Sequence, residues 1–159
     1  MSFDTRAGTR GARSRGSAGR VSNWVRRWMS NQHRRKGGRF MGMDVLFLTT
    51  IGNTTTARRE TPVAWFLDGR DAWLIVASAA GTTRNPHWFR NIAAHPDQVW
   101  IELPGQQRTL RVVAEQLHGA PRQEAWRRIV QAQPRYAKYQ DKTDRVLPVI
   151  RLVPATAQP

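Results

Sequence analysis

Apolar residues recur along this chain with two different periods, and together they outline a fold. Val21, Trp24, Val25, Trp28 and Met29 occupy the i, i+3, i+4, i+7, i+8 positions of one helical face, with Arg26, Arg27 and Arg34 elsewhere. That spacing predicts an amphipathic helix, either docked on the core with a solvated basic face or laid as a lid over an anionic ligand or a membrane surface. After the Gly37-Gly38 break the pattern shortens to β-rich runs: Val45 to Ile51, Thr61 to Leu67, Ala72 to Ser78, Gln98 to Leu103, Arg108 to Ala114 and Leu147 to Val153. Asp68-Gly69 and Pro104-Gly105 each separate two consecutive runs, and both supply the turn geometry of antiparallel hairpins.

Three helices interrupt the meander. One is expected from Asn85 to His95, with Asn85 as cap, Pro86 at the first helical position and Pro96 as terminator. A second is expected from Pro121 to Ala132, and a short third from Arg135 to Asp141. Six short antiparallel strands with inserted helices, and no βαβ alternation, predict a mainly β domain of α+β class, closer to a small closed barrel than to a parallel sheet. At 159 residues and 40% hydrophobic content the chain supports one core. That domain is assigned to residues 21–155. Residues 1–20 are almost entirely Gly, Ser, Ala and Arg, and are expected to be a disordered basic leader that buries too little to offset its ordering entropy.

Charge sharpens this division. Of 26 Lys and Arg and 11 Asp and Glu, eleven basic residues and one acid, Asp4, fall within residues 1–40. The net charge of +15 favours anionic company, and its excess belongs mainly to the leader. The absence of cysteine removes disulfides, thiolate metal sites and a cysteine nucleophile, and permits a reducing cytoplasm. Arg26 and Arg27 interrupt the only stretch that would serve as a secretory core, and the longest apolar run, Ala72 to Ala77, falls far short of the roughly 20 residues of a membrane span. The expected location is therefore the cytoplasm, with peripheral contact at the inner face of the membrane as an option. Phosphate-loop, dinucleotide-binding and nucleophile-elbow motifs are missing, and His33, His87, His95 and His118 are too scattered to suggest a metal site.

Several phrases, taken in order, resemble the deazaflavin-dependent nitroreductase family. The first is Leu46-Phe47-Leu48-Thr49-Thr50-Ile51-Gly52; the second is Thr61-Pro62-Val63, followed by the strand pair around Asp68-Gly69. The third joins Ile75-Val76-Ala77-Ser78 and Gly81 to Asn85-Pro86-His87-Trp88-Phe89-Arg90-Asn91-Ile92 and Ala94-His95-Pro96. The last is Pro134-Arg135-Tyr136-Ala137-Lys138-Tyr139-Gln140, with Thr143 to Pro148 after it. The likeness spans about residues 24 to 153. It implies a six-stranded antiparallel split β-barrel that binds coenzyme F420, an 8-hydroxy-5-deazaflavin, in preference to flavin mononucleotide. It further implies an oxidoreductase that passes hydride to a small electron-poor acceptor such as a quinone, an enone or a nitroaromatic.

A deazaflavin joins an apolar ring to a phosphate and glutamate tail, so its site needs an apolar slot beside backbone amides and cations. Arg58 and Arg59, following the loop of Asn53, Thr54 and Thr55, are candidates for the phosphate, or else an ordinary solvated pair. Pro62, Ala77, Ser78, Ala79, Asn85, Pro86 and Trp88 are assigned to the ring and linker by the resemblance, although Ser78, Asn85 and Pro86 read equally well as turn and cap residues. Tyr136 and Tyr139, three apart on a short helix, point to one pocket. They are either packing aromatics or the catalytic pair that hydrogen-bonds the acceptor, one of them as proton source. Here Asn53-Thr54-Thr55-Thr56 stands where the family usually carries Arg-Lys/Arg-Ser/Thr-Gly, and Gln133 stands where it carries a further tyrosine.

Two other readings stand beside the reductase. One is a non-catalytic barrel that holds a lipid or other hydrophobic ligand. The other makes the arginine-rich leader a nucleic-acid binder, which is not expected, because the remainder shows no nucleic-acid motif or basic-aromatic platform. Oligomeric state is open. Of the seven tryptophans, most are expected in the core, with Trp88 reserved for the cofactor slot.

Overall fold

The computed structural model describes residues 3–13, 39–40, 42–106 and 108–155. The helix expected over Val21 to Met29 lies outside the described residues. The strands are β1 (Arg39–Phe40), β2 (Met43–Ile51), β3 (Arg58–Ala64), β4 (Phe66–Asp68), β5 (Ala72–Val76), β6 (Val99–Glu102), β7 (Thr109–Gln116) and β8 (Val149–Pro154). They pair in the order β1-β2-β6-β7-β8-β5-β4, with β3 joined to β2, and each of these pairings is antiparallel. This curled sheet is the antiparallel split barrel expected. Among the described residues β3 pairs only with β2, so the sheet stays open between β3 and the β4–β5 hairpin.

Eight short strands replace the six expected. The run Thr61 to Leu67 breaks at Trp65, whose N–H donates to the Asp44 carbonyl at 3.0 Å; the chain then leaves β2 and pairs Phe66 to Asp68 with β5. β3 also starts three residues earlier, because Arg58, Arg59 and Glu60 pair with Ile51, Thr50 and Thr49. Their polar side chains hid a strand whose ladder is a backbone property. Both glycine hairpins form as expected, with Gly69 at φ 68° and Gly105 at φ 82°.

The helices are α1 (His87–Ala94), α2 (Gly119–Ala132) and α3 (Arg135–Lys142). Asn85 is not the cap of α1: that position is held by Pro86, with no side-chain cap bond, and the helix ends at Ala94, short of Pro96. The Asn85 side chain is engaged instead by Arg145. Between β5 and α1 an unexpected single turn, Ala79–Gly81, carries positive φ angles at Ala79 (43°) and Ala80 (54°), a region that residues with a Cβ seldom adopt.

The core has two parts divided by β5 and β8. Leu46, Leu48, Ile75, Phe89, Ile92, Ile101, Val112, Ile150 and Leu152 fill the barrel. Leu74, Val76, Leu117, Ala125, Ile129, Tyr136, Leu147 and Val149 form a second layer beneath α2 and α3. Adjacent residues of β5 thus face different clusters, which accounts for its continuous apolar run. Of the five described tryptophans only Trp88 is buried; Trp65, Trp73, Trp100 and Trp126 are half-buried at the margins, since an indole is seldom enclosed on every side.

Part of the leader departs from expectation, while residues 1–2 and 14–20 lie outside the described residues. Residues 3–13 form a strap along the body rather than a free tail. Phe3 meets Phe89 edge-on with ring centroids 6.2 Å apart. The Asp4 N–H donates to Gln116 Oε1, the Gly8 N–H to the Thr83 carbonyl and the Ala12 N–H to the Gly81 carbonyl, each at 2.8 Å. Composition predicted disorder because the side chains have little to bury; beyond the Phe3 contact, the segment is held mostly by its main-chain N–H groups.

Candidate functional site

β2 ends at Ile51, and the hairpin to β3 closes with the Gly52 N–H donating to the Ala57 carbonyl at 2.8 Å. The loop between them is held from α1. Buried Asn91 accepts the Asn53 N–H on Oδ1 at 3.0 Å and donates from Nδ2 to Thr50 Oγ1 at 3.1 Å. The result is a polar hollow of about 410 Å³, lined by Asn53, Thr54, Thr55, Arg59, Glu60, Thr61, His87, Trp88 and Asn91. Its threonine hydroxyls, the Arg59 guanidinium and the start of α1 suit it to a polar, anionic group. Among the described residues Arg59 is the single Lys or Arg in the lining, and Glu60 is beside it. Arg58, on the other face of β3, lies over the Trp100 ring at 4.5 Å. The pair that looked interchangeable in sequence is split by the two-residue period of the strand.

Against this hollow lies an apolar one of about 330 Å³, and Trp88 lines both. Its walls come from the open join of the sheet: Pro62, Val63 and Ala64 of β3 on one side, and Val76, Ser78, Ala79 and Ala80 at the end of β5 on the other. Pro86, Met43 and Val45 add to it, and Tyr136 and Tyr139 reach it from α3. The two tyrosine rings meet edge-on at 5.7 Å, and Tyr136 packs the same way on Phe66. Tyr136 Oη lies 3.7 Å from Met43 Sδ. Burial, reinforced by Tyr139, pushes the Tyr136 hydroxyl up to about 12, so it stays protonated and acts as a donor at any physiological pH.

The structure thus brings together Asn53, Thr54, Thr55, Arg59, Pro62, Ser78, Ala79, Pro86, Trp88, Tyr136 and Tyr139. Ala77 and Asn85 are buried beside the hollows and line neither, and Arg58 is turned away. What Ala77 and Asn85 touch is a residue sequence reasoning missed. Arg145, itself 5% exposed, donates from Nη1 to the Ala77 carbonyl (3.0 Å) and Asn85 Oδ1 (2.9 Å), from Nη2 to the Ser78 carbonyl (2.6 Å) and from Nε to the Thr82 carbonyl (2.8 Å). One guanidinium therefore ties down the turn that walls the apolar hollow. Nothing in the periodicity marks Arg145. Asn91 left a faint signal, a polar side chain on the same helical face as Trp88.

A family model described as F420H(2)-dependent quinone reductase matches residues 20–154. An F420H(2)-dependent quinone reductase of Mycobacterium tuberculosis (strain H37Rv) is 36% identical over 110 residues, 67% of this chain and 71% of that protein. A solved F420-H2 dependent reductase superposes with a TM-score of 0.60 at 31% identity, covering 68% of this chain and 92% of the other. The haem storage protein of Vibrio cholerae, at 12% identity and a TM-score of 0.52 over 79% of this chain and 87% of its own, shares the fold alone.

Proposed function

The chain belongs to the F420H(2)-dependent quinone reductase family, and from that premise we propose that the two hollows joined at Trp88 are its cofactor and acceptor site. It is an oxidoreductase that uses reduced F420. The observation that carries the assignment is the pairing of a polar recess with an apolar slot across one indole. A flat ring with a phosphate tail needs that combination, and the donor set fits it.

When bound, the reduced deazaflavin supplies the hydride from its C5. The protein's residues do the rest. Asn53, Thr54, Thr55 and Arg59 receive the phosphate through hydroxyl, amide and guanidinium donors, and Trp88, Pro62, Ser78, Ala79 and Pro86 hold the ring and linker. Arg59 supplies charge that the departure at Asn53 to Thr56 removes, and Glu60 tempers it. Tyr136 and Tyr139 shape the acceptor pocket, and the protonated Tyr136 hydroxyl hydrogen-bonds the acceptor oxygen as negative charge develops there. The apolar walls limit water around the ring and hold the acceptor within reach. Ala77 and Asn85 support this surface from behind through Arg145, and Arg58 is engaged with Trp100.

A quinone is the acceptor that the family favours. The eleven basic residues among positions 1–40 support a peripheral approach to an anionic membrane surface, where a lipid-soluble quinone would be held. Among the described residues no helix is long and apolar enough to cross a membrane. The test is anaerobic mixing of the purified protein with reduced F420 and a soluble naphthoquinone, following the absorbance of the oxidised cofactor. Quinone-dependent oxidation that requires the protein supports the reading. Binding of neither F420 nor flavin mononucleotide would turn the assignment toward a barrel that stores a hydrophobic ligand.

A further inference from the structure

We propose that the N-terminal strap, residues 3–13, is a positioning element of the ring site, clamping its two walls together from behind. This rests on the assignment of the apolar hollow to the cofactor ring. The strap lies before the residues matched by the family model, which begin at residue 20.

The walls in question are the Ala79–Gly81 turn and α3, neither of which is a strand held by a ladder on two sides. The strap is bonded to both. Toward the turn, the Gly8 N–H donates to the Thr83 carbonyl and the Ala12 N–H to the Gly81 carbonyl, and Ala12 bridges Thr82 in parallel fashion. Toward the end of α3, the Asp144 carboxylate accepts the N–H groups of Thr9 (2.8 Å) and Arg10 (2.9 Å) and the Thr9 hydroxyl. Arg10 Nη1 donates to the Asp141 carbonyl at 3.0 Å, and the Asp144 N–H donates back to the Arg10 carbonyl at 3.3 Å. Asn85, which Arg145 holds, donates in turn to the Arg6 carbonyl at 3.4 Å.

The fit is close enough to be written in the sequence. A Cβ on Gly8 would lie 2.5 Å from Asp144 Oδ1, and one on Gly11 would lie 2.6 Å from the Thr83 backbone nitrogen. The walls meet as closely behind the hollow, where a Cβ on Gly81 would lie 2.5 Å from the Tyr139 carbonyl oxygen. Releasing the strap removes the second fastening of each wall and lets Ala79 and Ala80, held at positive φ, relax away from Tyr136 and Tyr139.

The test uses the full chain and two variants, Gly8→Val and Gly11→Val, each of which drives the strap off by collision, with the milder Thr9→Ala as a third. Strap release is read by trypsin cleavage after Arg10 and Arg13, expected to speed up about tenfold in the valine variants. F420 affinity by fluorescence titration should fall roughly five- to tenfold, and KM for reduced F420 should rise in step while kcat at saturation stays within about twofold. Because coupling is reciprocal, F420 must also slow trypsin cleavage of the unaltered chain by a comparable factor, a readout that needs no variant to fold. Faster cleavage with unchanged F420 affinity, or no protection of the unaltered chain by bound F420, would overturn the clamp while leaving the reductase assignment standing. Failure of the unaltered chain to bind F420 would overturn both.

Discussion

The side-chain carbonyl of Asn91 accepts the backbone N–H of Asn53 at 3.0 Å, so a residue on α1 fixes the loop that opens the polar hollow. Its other end donates to Thr50, so both ends of the amide are engaged inside the protein. Replacing Asn91 by alanine strands the buried Thr50 hydroxyl and frees the exposed loop at Asn53, which should cost about 1–3 kcal/mol of stability and weaken F420 binding several-fold. Thermal unfolding and fluorescence titration measure the two effects. A stability loss with unaltered affinity would show that this loop does not carry the cofactor tail.

Tyr136→Phe removes one hydroxyl whose neighbour is the weak acceptor Met43 Sδ, and leaves the ring packing on Phe66 and Tyr139 in place. Stability should change little. Acceptor reduction should slow by about 10-fold or more, with F420 affinity within twofold. Single-turnover kinetics with F420H2 prebound separate the two quantities, and equal losses in both would contradict the assigned role.

Arg145 satisfies three carbonyls and one side-chain oxygen. An ammonium cannot reproduce that planar fork, so Arg145→Lys is expected to cost about 2 kcal/mol or more and to loosen the Ala79–Gly81 turn. Denaturant unfolding gives the first. Hydrogen exchange at residues 81–83 gives the second, and protection there equal to that of the unaltered chain would refute the brace.

Acid should undo the strap. Asp144 is lowered to about 2, first by the Thr9 hydroxyl and then by the Arg10 and Thr9 N–H groups. Asp4 is lowered to about 2, chiefly by its bonds from Arg6, with His118 assisting. Both carboxylates lie below their unfolded value of 3.8, so their contribution is complete above that pH and is lost as pH falls toward about 2. The cations that face them are Arg6 and His118 at Asp4, and Arg10 beside Asp144. The backbone amide shifts of Thr9 and Arg10, followed by NMR between pH 5 and about 2, should titrate with a midpoint near 2. A midpoint near 4 would mean that Asp144 is unpaired in solution.

The sheet was legible because alternation and Gly turns speak directly about side-chain burial, as at Asp68-Gly69 and Pro104-Gly105. The start of β3 and the strap were not, because Arg58 to Glu60 and Gly8 to Ala12 are held by main-chain bonds that no side-chain pattern encodes. The same holds within the site. The ordered phrases pointed to Trp88 and both tyrosines, and the loop before β3 pointed to Arg58 and Arg59 together, but not to the split between those two, which depends on strand phase. Arg145 stayed hidden because its partners are carbonyls more than 60 positions away, and a carbonyl is the one group every residue carries.

Pro62 sits within β3, opposite Phe47 of β2, on the strand that borders the open join. A sheet edge ordinarily invites another strand to zip onto it, from this chain or a neighbour. A proline there offers no hydrogen to such a visitor, and its ring stands in the way. The row of ladder bonds that would have joined β3 to the β4–β5 hairpin is thus forgone, and the apolar hollow lies along that seam.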